Sequence, residues 1–212
     1  YDLMNLYGDS GNVKALKKAL ESQGIEVIID KLSVDDKINF DDYDVIIIGS
    51  GTESNLIRCL TNLRLYKEDV KRTIENNKIF LITGNAIDLF GKGITDMDGN
   101  LYNGLGVFNY DTIESIDRIV CESLVSTSLI NKNIIGFQNR GSKISEYDFN
   151  LFEVIRGYGS TKESKKEGIH YKNFFGTYII GPILVRNPEF LKYFSKLIIL
   201  SKDSNFEFKD FN

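Results

Sequence analysis

Histidine is nearly missing from this chain: His170 is the only one in 212 residues. A lone imidazole cannot furnish a histidine-rich metal site, and it leaves one candidate for imidazole acid–base chemistry. Cysteine is almost as scarce. Cys59 and Cys121 lie far apart, show no metal-ligand spacing and build no disulfide framework, which suits a reducing compartment. Long apolar runs are lacking as well. None approaches the roughly 20 residues of a membrane span, and the opening residues carry no signal-peptide pattern. Basic charge is not in excess either. A net charge of −4 and a pI near 5.2 argue against general affinity for nucleic acid or anionic lipid. Lys162, Lys165 and Lys166 form a small basic cluster, but Glu163 and Glu167 interrupt it, so it reads as a solvated loop. These absences lead us to expect a cytoplasmic protein with no metal, no cofactor, and no nucleic-acid or membrane partner.

What is present is an ordinary globular composition, 42% hydrophobic and 26% charged. The length suits one α/β domain with ample core. No repeat and no domain-splitting linker interrupts it, so we expect a single domain over residues 1–200 and a polar tail over 201–212. "GNVKALKKALESQG" sets Val13, Leu16 and Leu20 on one helical face, with Gly24 as its stop. "IEVIID" (25–30) reads as a strand. "YDVIIIGSG" (43–51) reads as a strand buried on both faces. A helical stretch follows over 53–76, with a break expected near Thr61, and then "KIFLITGNAIDLFG" (78–91), a strand that breaks at Gly84 into a short helix.

This alternation predicts an open, Rossmann-like, flavodoxin-like parallel sheet with helices on both faces. Ligands in such sheets sit beyond the carboxyl ends of the strands, so residues 49–51 and 83–85 should line one crevice. After residue 92 the rhythm becomes more antiparallel. Asp98-Gly99 looks like a hairpin turn, and "RIVCESLV", "NIIGFQN", "LFEVIRGYG" and "NFFGTYIIGPILV" read as added strands. The chain closes on "NPEFLKYFSKLIIL", a helix with Asn187 as N-cap, Pro188 in first place, and Phe190, Leu191, Phe194 and Leu197 buried.

A sharp strand-to-helix turn is how many α/β enzymes present a nucleophile, yet this one offers only Thr83, Gly84, Asn85 and Ala86. Six stretches in order, "DLMNLYGDSGN", "IIIGSGTE", the turn at 84–91, "NGLGVF", "GFQNRG" and "GTYIIGPIL", span nearly the whole chain. Together they resemble the cobyric-acid-synthase-like branch of the class I glutamine amidotransferases, and within it the glutaminase subunits of lipid II isoglutaminyl synthase. The resemblance implies a domain that strips ammonia from glutamine and passes it to a Mur-ligase-like synthetase subunit in a heterodimer. The family turn reads Cys-Gly-Gly-Tyr-Gln-Leu-Leu-Gly. Laid on "GNAIDLFG" without a gap, it puts the nucleophile's place on Gly84; moving it to Thr83 would break the spacing to Gly91. The family histidine, in Gly-Thr-Tyr-Leu-His-Gly-Pro, falls on Ile180.

A glycine has no side chain with which to attack, and an isoleucine cannot carry a proton. The resemblance therefore implies a subunit that has lost Cys-His glutaminase chemistry and acts as a structural or regulatory partner. Two alternatives stay open: an active hydrolase with a displaced nucleophile, and a free-standing binder of small carboxylates. Candidate ligand-binding residues are Gly51, matching the family's oxyanion turn, Arg118, matching a carboxylate anchor, Asn139, and Asn85. Glutamine or a similar small carboxylate is the candidate ligand. The family's Glu and His of Gly-Phe-Glu-Asn-His are here Gln138 and Arg140, and Ser50 and Thr52 replace a glycine and a glutamine. Cys121 in a strand, Cys59 in a helix and His170 in a loop read as packing or solvated residues rather than catalysts.

Overall fold

A computed structural model describes residues 1–145 and 147–209. Helix α1 (Ser10–Ser22) leads, followed by β1 (Val45–Ile48), α2 (Glu53–Leu63), α3 (Lys67–Glu75) and β2 (Ile79–Thr83). A 3-10 turn, Gly84–Phe90, leaves β2. Then come β3 (Gly93–Thr95), β4 (Leu101–Asn103), β5 (Asp111–Ser126), β6 (Ile134–Ile144), β7 (Phe152–Arg156), β8 (Lys166–Glu167), β9 (Ile169–Tyr171) and β10 (Phe174–Thr177). Helices α4 (Ile183–Arg186) and α5 (Pro188–Lys202) complete the order.

The central sheet runs β1–β2–β10–β9, with β2 parallel to both β1 and β10, and β9 antiparallel at the edge. Alternation along β2 divides the core. Phe80 and Ile82 pack with Leu56, Leu60, Val70 and Ile74 of α2 and α3. Ile79 and Leu81 point the other way, into a core shared with Leu16, Leu20, Phe190 and Phe194 of α1 and α5. Each such side chain contributes about 1.5–3 kcal/mol on leaving water. Helices on both faces of parallel strands are the α/β arrangement expected. Of the strands expected as antiparallel additions, β10 instead joins the central sheet parallel to β2; the others form a second sheet, β4–β3–β5–β7–β8, with β6 paired to β5 and β3 parallel to β5. The β5–β6 register slips between Glu114 and Ile119.

Several local expectations change. Residues 25–30 join no strand, and Ile28 is 83% exposed. Among the described residues β1 ladders only to β2, and residues 25–30 pair with no strand. β1 is accordingly half-buried at Val45–Ile47, whereas β2, flanked on both sides, is buried throughout. The break in the 53–76 helix falls at a 3-10 turn, Arg64–Tyr66, rather than near Thr61. "ILV" of 183–185 is helical, because Gly181 at φ +82° turns the chain out of the strand direction. Asn187 stands before α5, but its amide bonds Ile135 and the Ile183 carbonyl instead of capping the helix. The tail expected at 201–212 lies in part outside the described residues. Within it, Phe206 and Phe208 stand 5.2 Å apart against the α1–α5 core, and the Lys209 N–H donates to Gln23.

Candidate functional site

The carboxyl ends of β1 and β2 open onto a cavity of about 260 Å3. Its lining includes Gly51, Gly84, Asn85, Arg118, Asn139 and Ile180, whereas Gly49 and Thr83, expected in the same crevice, are not among the lining residues. Cys121 and His170 are not among the lining residues. Cys121 sits on β5, 3.7 Å from Ser123 Oγ, and the His170 ring stacks on Phe175 at 4.7 Å. Burial lowers the pKa of His170. Cys59 is buried in α2, and burial raises its thiol pKa to about 11, which keeps it protonated and unreactive.

The floor is closed by its own side chains. Asp9, 3% exposed, accepts from Ser50 Oγ at 2.8 Å and from Thr83 Oγ1 at 2.7 Å, tying the opening segment to the ends of β1 and β2. Gly84 has φ +62°, where a side chain is strained. A Cβ placed there would also lie 2.5 Å from Ser50 Cβ and 3.1 Å from Ile180 Cγ2. Ile180 is itself held by its N–H, which donates to the Phe137 carbonyl at 2.8 Å. Beside it, Asn85 folds onto Gly51. The Gly51 N–H donates to Asn85 Oδ1, and Asn85 Nδ2 donates back to the Gly51 carbonyl, both at 2.9 Å.

The wall is built differently. Arg118 lies in the register slip of β5, and such slips re-aim side chains. Its Nε and Nη2 donate to Asn139 Oδ1 at 3.3 and 3.1 Å, and Nη1 stands 3.8 Å from Glu53. Arg118, Glu53 and Glu114 thus share the mouth of the cavity. Burial pushes the Glu114 carboxyl up to about 7, and the negative charges of Glu53, Asp88 and Asp96 push the same way.

Asp88, which the sequence places near the crevice but which also reads as an acidic residue favoured at a helix start, belongs to a buried polar layer between floor and wall whose other members sequence reasoning did not assemble. Asp88 accepts from Tyr178 Oη and from Thr112 Oγ1, and burial lifts its carboxyl to about 6. Its Oδ2 and Ser142 Oγ meet no partner in hydrogen-bond geometry, although Ser142 lies close enough to favour the charged carboxylate. The Arg140 guanidinium rests 3.7 Å from the centroid of the Tyr178 ring. It donates to Gln138 Oε1, to the Ser142 carbonyl, and to the carbonyls of Gly159 and Ser160. Gln138 Nε2 donates to the Tyr158 carbonyl at 2.7 Å. The two residues that depart from the family's Glu and His are therefore the two that clamp the chain at 158–160. Glu167, wholly buried, accepts from Thr177 Oγ1 and from the Tyr178 N–H, and burial raises it to about 7. The signal that could have flagged this layer is polarity inside apolar runs, as at Asp88. Its partners lie 24 and 90 residues away along the chain and are invisible locally. Among the described residues, no three His, Cys, Asp or Glu side chains gather as a metal site, and no helix is long and apolar enough to cross a membrane.

The profile of the CobB/CobQ-like glutamine amidotransferase domain matches residues 1–188. The chain is 33% identical over 210 residues to the GatD subunit of the glutamine-hydrolyzing lipid II isoglutaminyl synthase of Staphylococcus aureus (strain N315), covering 99% of this chain and 86% of that one. It is 31% identical over 189 residues to the subunit of the same name from Streptococcus pneumoniae (strain ATCC BAA-255 / R6), covering 88% and 73%. A crystal structure of a glutamine amidotransferase superposes with a TM-score of 0.57 at 16% identity, over 87% of this chain and 93% of that one, which supports the fold alone. From the matched profile and these two relatives, the chain belongs to the CobB/CobQ-like glutamine amidotransferase family.

Proposed function

We propose that this chain is a glutamine amidotransferase-like subunit of the lipid II isoglutaminyl synthase type that does not hydrolyse glutamine. In this reading it serves a Mur-ligase-like synthetase as a structural or regulatory partner in peptidoglycan-precursor amidation. The family chemistry needs a thiolate to form an acyl-enzyme and an imidazole to move protons. The observation that carries the reading is the space at Gly84. It holds no nucleophile, and Ser50 and Ile180 fill the volume a longer side chain would need. Loss of a catalyst by a single exchange leaves a hole; here three positions fit one another without one.

Ammonia release from L-glutamine, measured for the pure chain and for the chain mixed with a Mur-ligase-like synthetase, tests the proposal. No release in either sample is expected, together with co-elution of the two proteins at micromolar concentration. Release by the chain alone overturns the non-hydrolysing reading, and separate elution overturns the partnership. A second reading, small-carboxylate binding, is favoured by Arg118 and Asn139 meeting at the cavity wall, because a guanidinium holds a carboxylate bidentately.

A further inference from the structure

Gly51 presents a donor and an acceptor to the cavity from one residue, and a primary carboxamide is the complement of that pair. Asn85 supplies such a carboxamide from within the chain, and both of its hydrogen bonds to Gly51 are 2.9 Å long. A Cβ at Gly51 would lie 2.4 Å from Met4 Sδ, so the opening segment packs against the turn on that side. The family turn quoted above carries glycine at the position of Asn85, and a glycine has no carboxamide to offer.

We infer that Asn85 acts as a built-in carboxamide, occupying the Gly51 turn so that the cavity no longer distinguishes an amide-bearing amino acid from one without an amide. The inference rests on reading this cavity as a former amidotransferase site, and it adds a specificity-determining residue to it. A tethered group competes at an effective concentration of order millimolar or higher, so a free ligand's amide must displace it at a loss. What remains for a ligand is the wall: Arg118 and Asn139 for a carboxylate, Glu53 and Glu114 for an ammonium. The expected occupant is a small α-amino acid held by its backbone ends, with no recognition of its side-chain amide.

The test compares L-glutamine with L-2-aminobutyrate by isothermal titration, on the full chain and on Asn85→Ala. The unaltered chain is expected to bind the two equally. In Asn85→Ala, glutamine should tighten by about tenfold while 2-aminobutyrate stays unchanged. Hydrogen exchange of the Gly51 amide gives a ligand-free readout: it should accelerate in Asn85→Ala and slow again on addition of glutamine. Asn85→Asp keeps the acceptor and loses the donor, and should protect the Gly51 amide while still binding glutamine no more tightly than 2-aminobutyrate. The inference fails if the unaltered chain already prefers glutamine, if neither protein binds it, or if Gly51 exchange does not respond to the Ala substitution. Ammonia release by the unaltered chain would instead overturn the proposed function, whatever the affinities.

Discussion

The floor and the wall of the cavity spend their polar groups in opposite ways. At the floor, Asp9 is satisfied by Ser50 and Thr83, and Gly51 is satisfied by Asn85, all from inside the chain. At the wall, Arg118 is 43% exposed; its Nε and Nη2 donate to Asn139 Oδ1, and it meets Glu53 only at 3.8 Å, the loose pairing of a surface cation. Buried polar groups must find partners or cost free energy, whereas exposed ones can use water. A floor that satisfies itself is a structural element. A wall whose charges face solvent is where the proposed small-carboxylate ligand would bind.

The comparison breaks most sharply at Gly84. Gly84→Cys introduces a thiol at the turn, but it places a Cβ at a positive φ and against Ser50, so about 3–4 kcal/mol of stability should be lost. Adding Ser50→Gly and Ile180→His should recover about 1–2 kcal/mol, because the three sites share one volume. Urea denaturation of the single and triple variants measures both; a single variant as stable as the parent would show that the floor is not closed.

Asp9→Ala leaves two hydroxyls unsatisfied beneath the floor and should cost about 2–3 kcal/mol, read in the same way. The equivalent truncation at the wall, Arg118→Ala, should cost much less.

Asp88 sharpens the contrast through pH. Its carboxyl rises from 3.8 to about 6, so between those values the folded chain binds more protons than the unfolded one. Its contribution is fully present below about pH 4 and is lost as pH rises through 6, amounting to about 2–3 kcal/mol. Asp88→Asn should flatten this decline. Denaturation midpoints at intervals from pH 4 to 8 decide it, and parallel curves for the two proteins would remove Asp88 from the account. The smallest effect is expected at the wall. Arg118→Ala should shift stability by less than about 0.5 kcal/mol while abolishing any thermal shift produced by millimolar glutamate.

Much of the architecture was legible in residue order. The runs at 45–48 and 79–83, the amphipathic helices between them and the closing α5 all follow from periodicity, because burial acts on every turn or every second residue. Residues 25–30 were not legible in the same way. Their composition is that of a strand, but a strand is defined by its neighbours, and a ladder partner cannot be read from the segment itself. The antiparallel half was legible as strands but not as register, and the slip that aims Arg118 emerged only from the pairing of β5 with β6.

By itself, the sequence determined that no thiol stands at Gly84 and no imidazole at Ile180, since identity at a position is all such chemistry requires. Only the tertiary structure decided that Ser50 stands where a side chain at position 84 would go, that Asn85 closes on Gly51, and that Gln138 and Arg140 hold the chain at 158–160. The physical reason is range. Each of these is a contact of a few ångströms between residues distant in the chain, and it comes into being only when packing brings their side chains together.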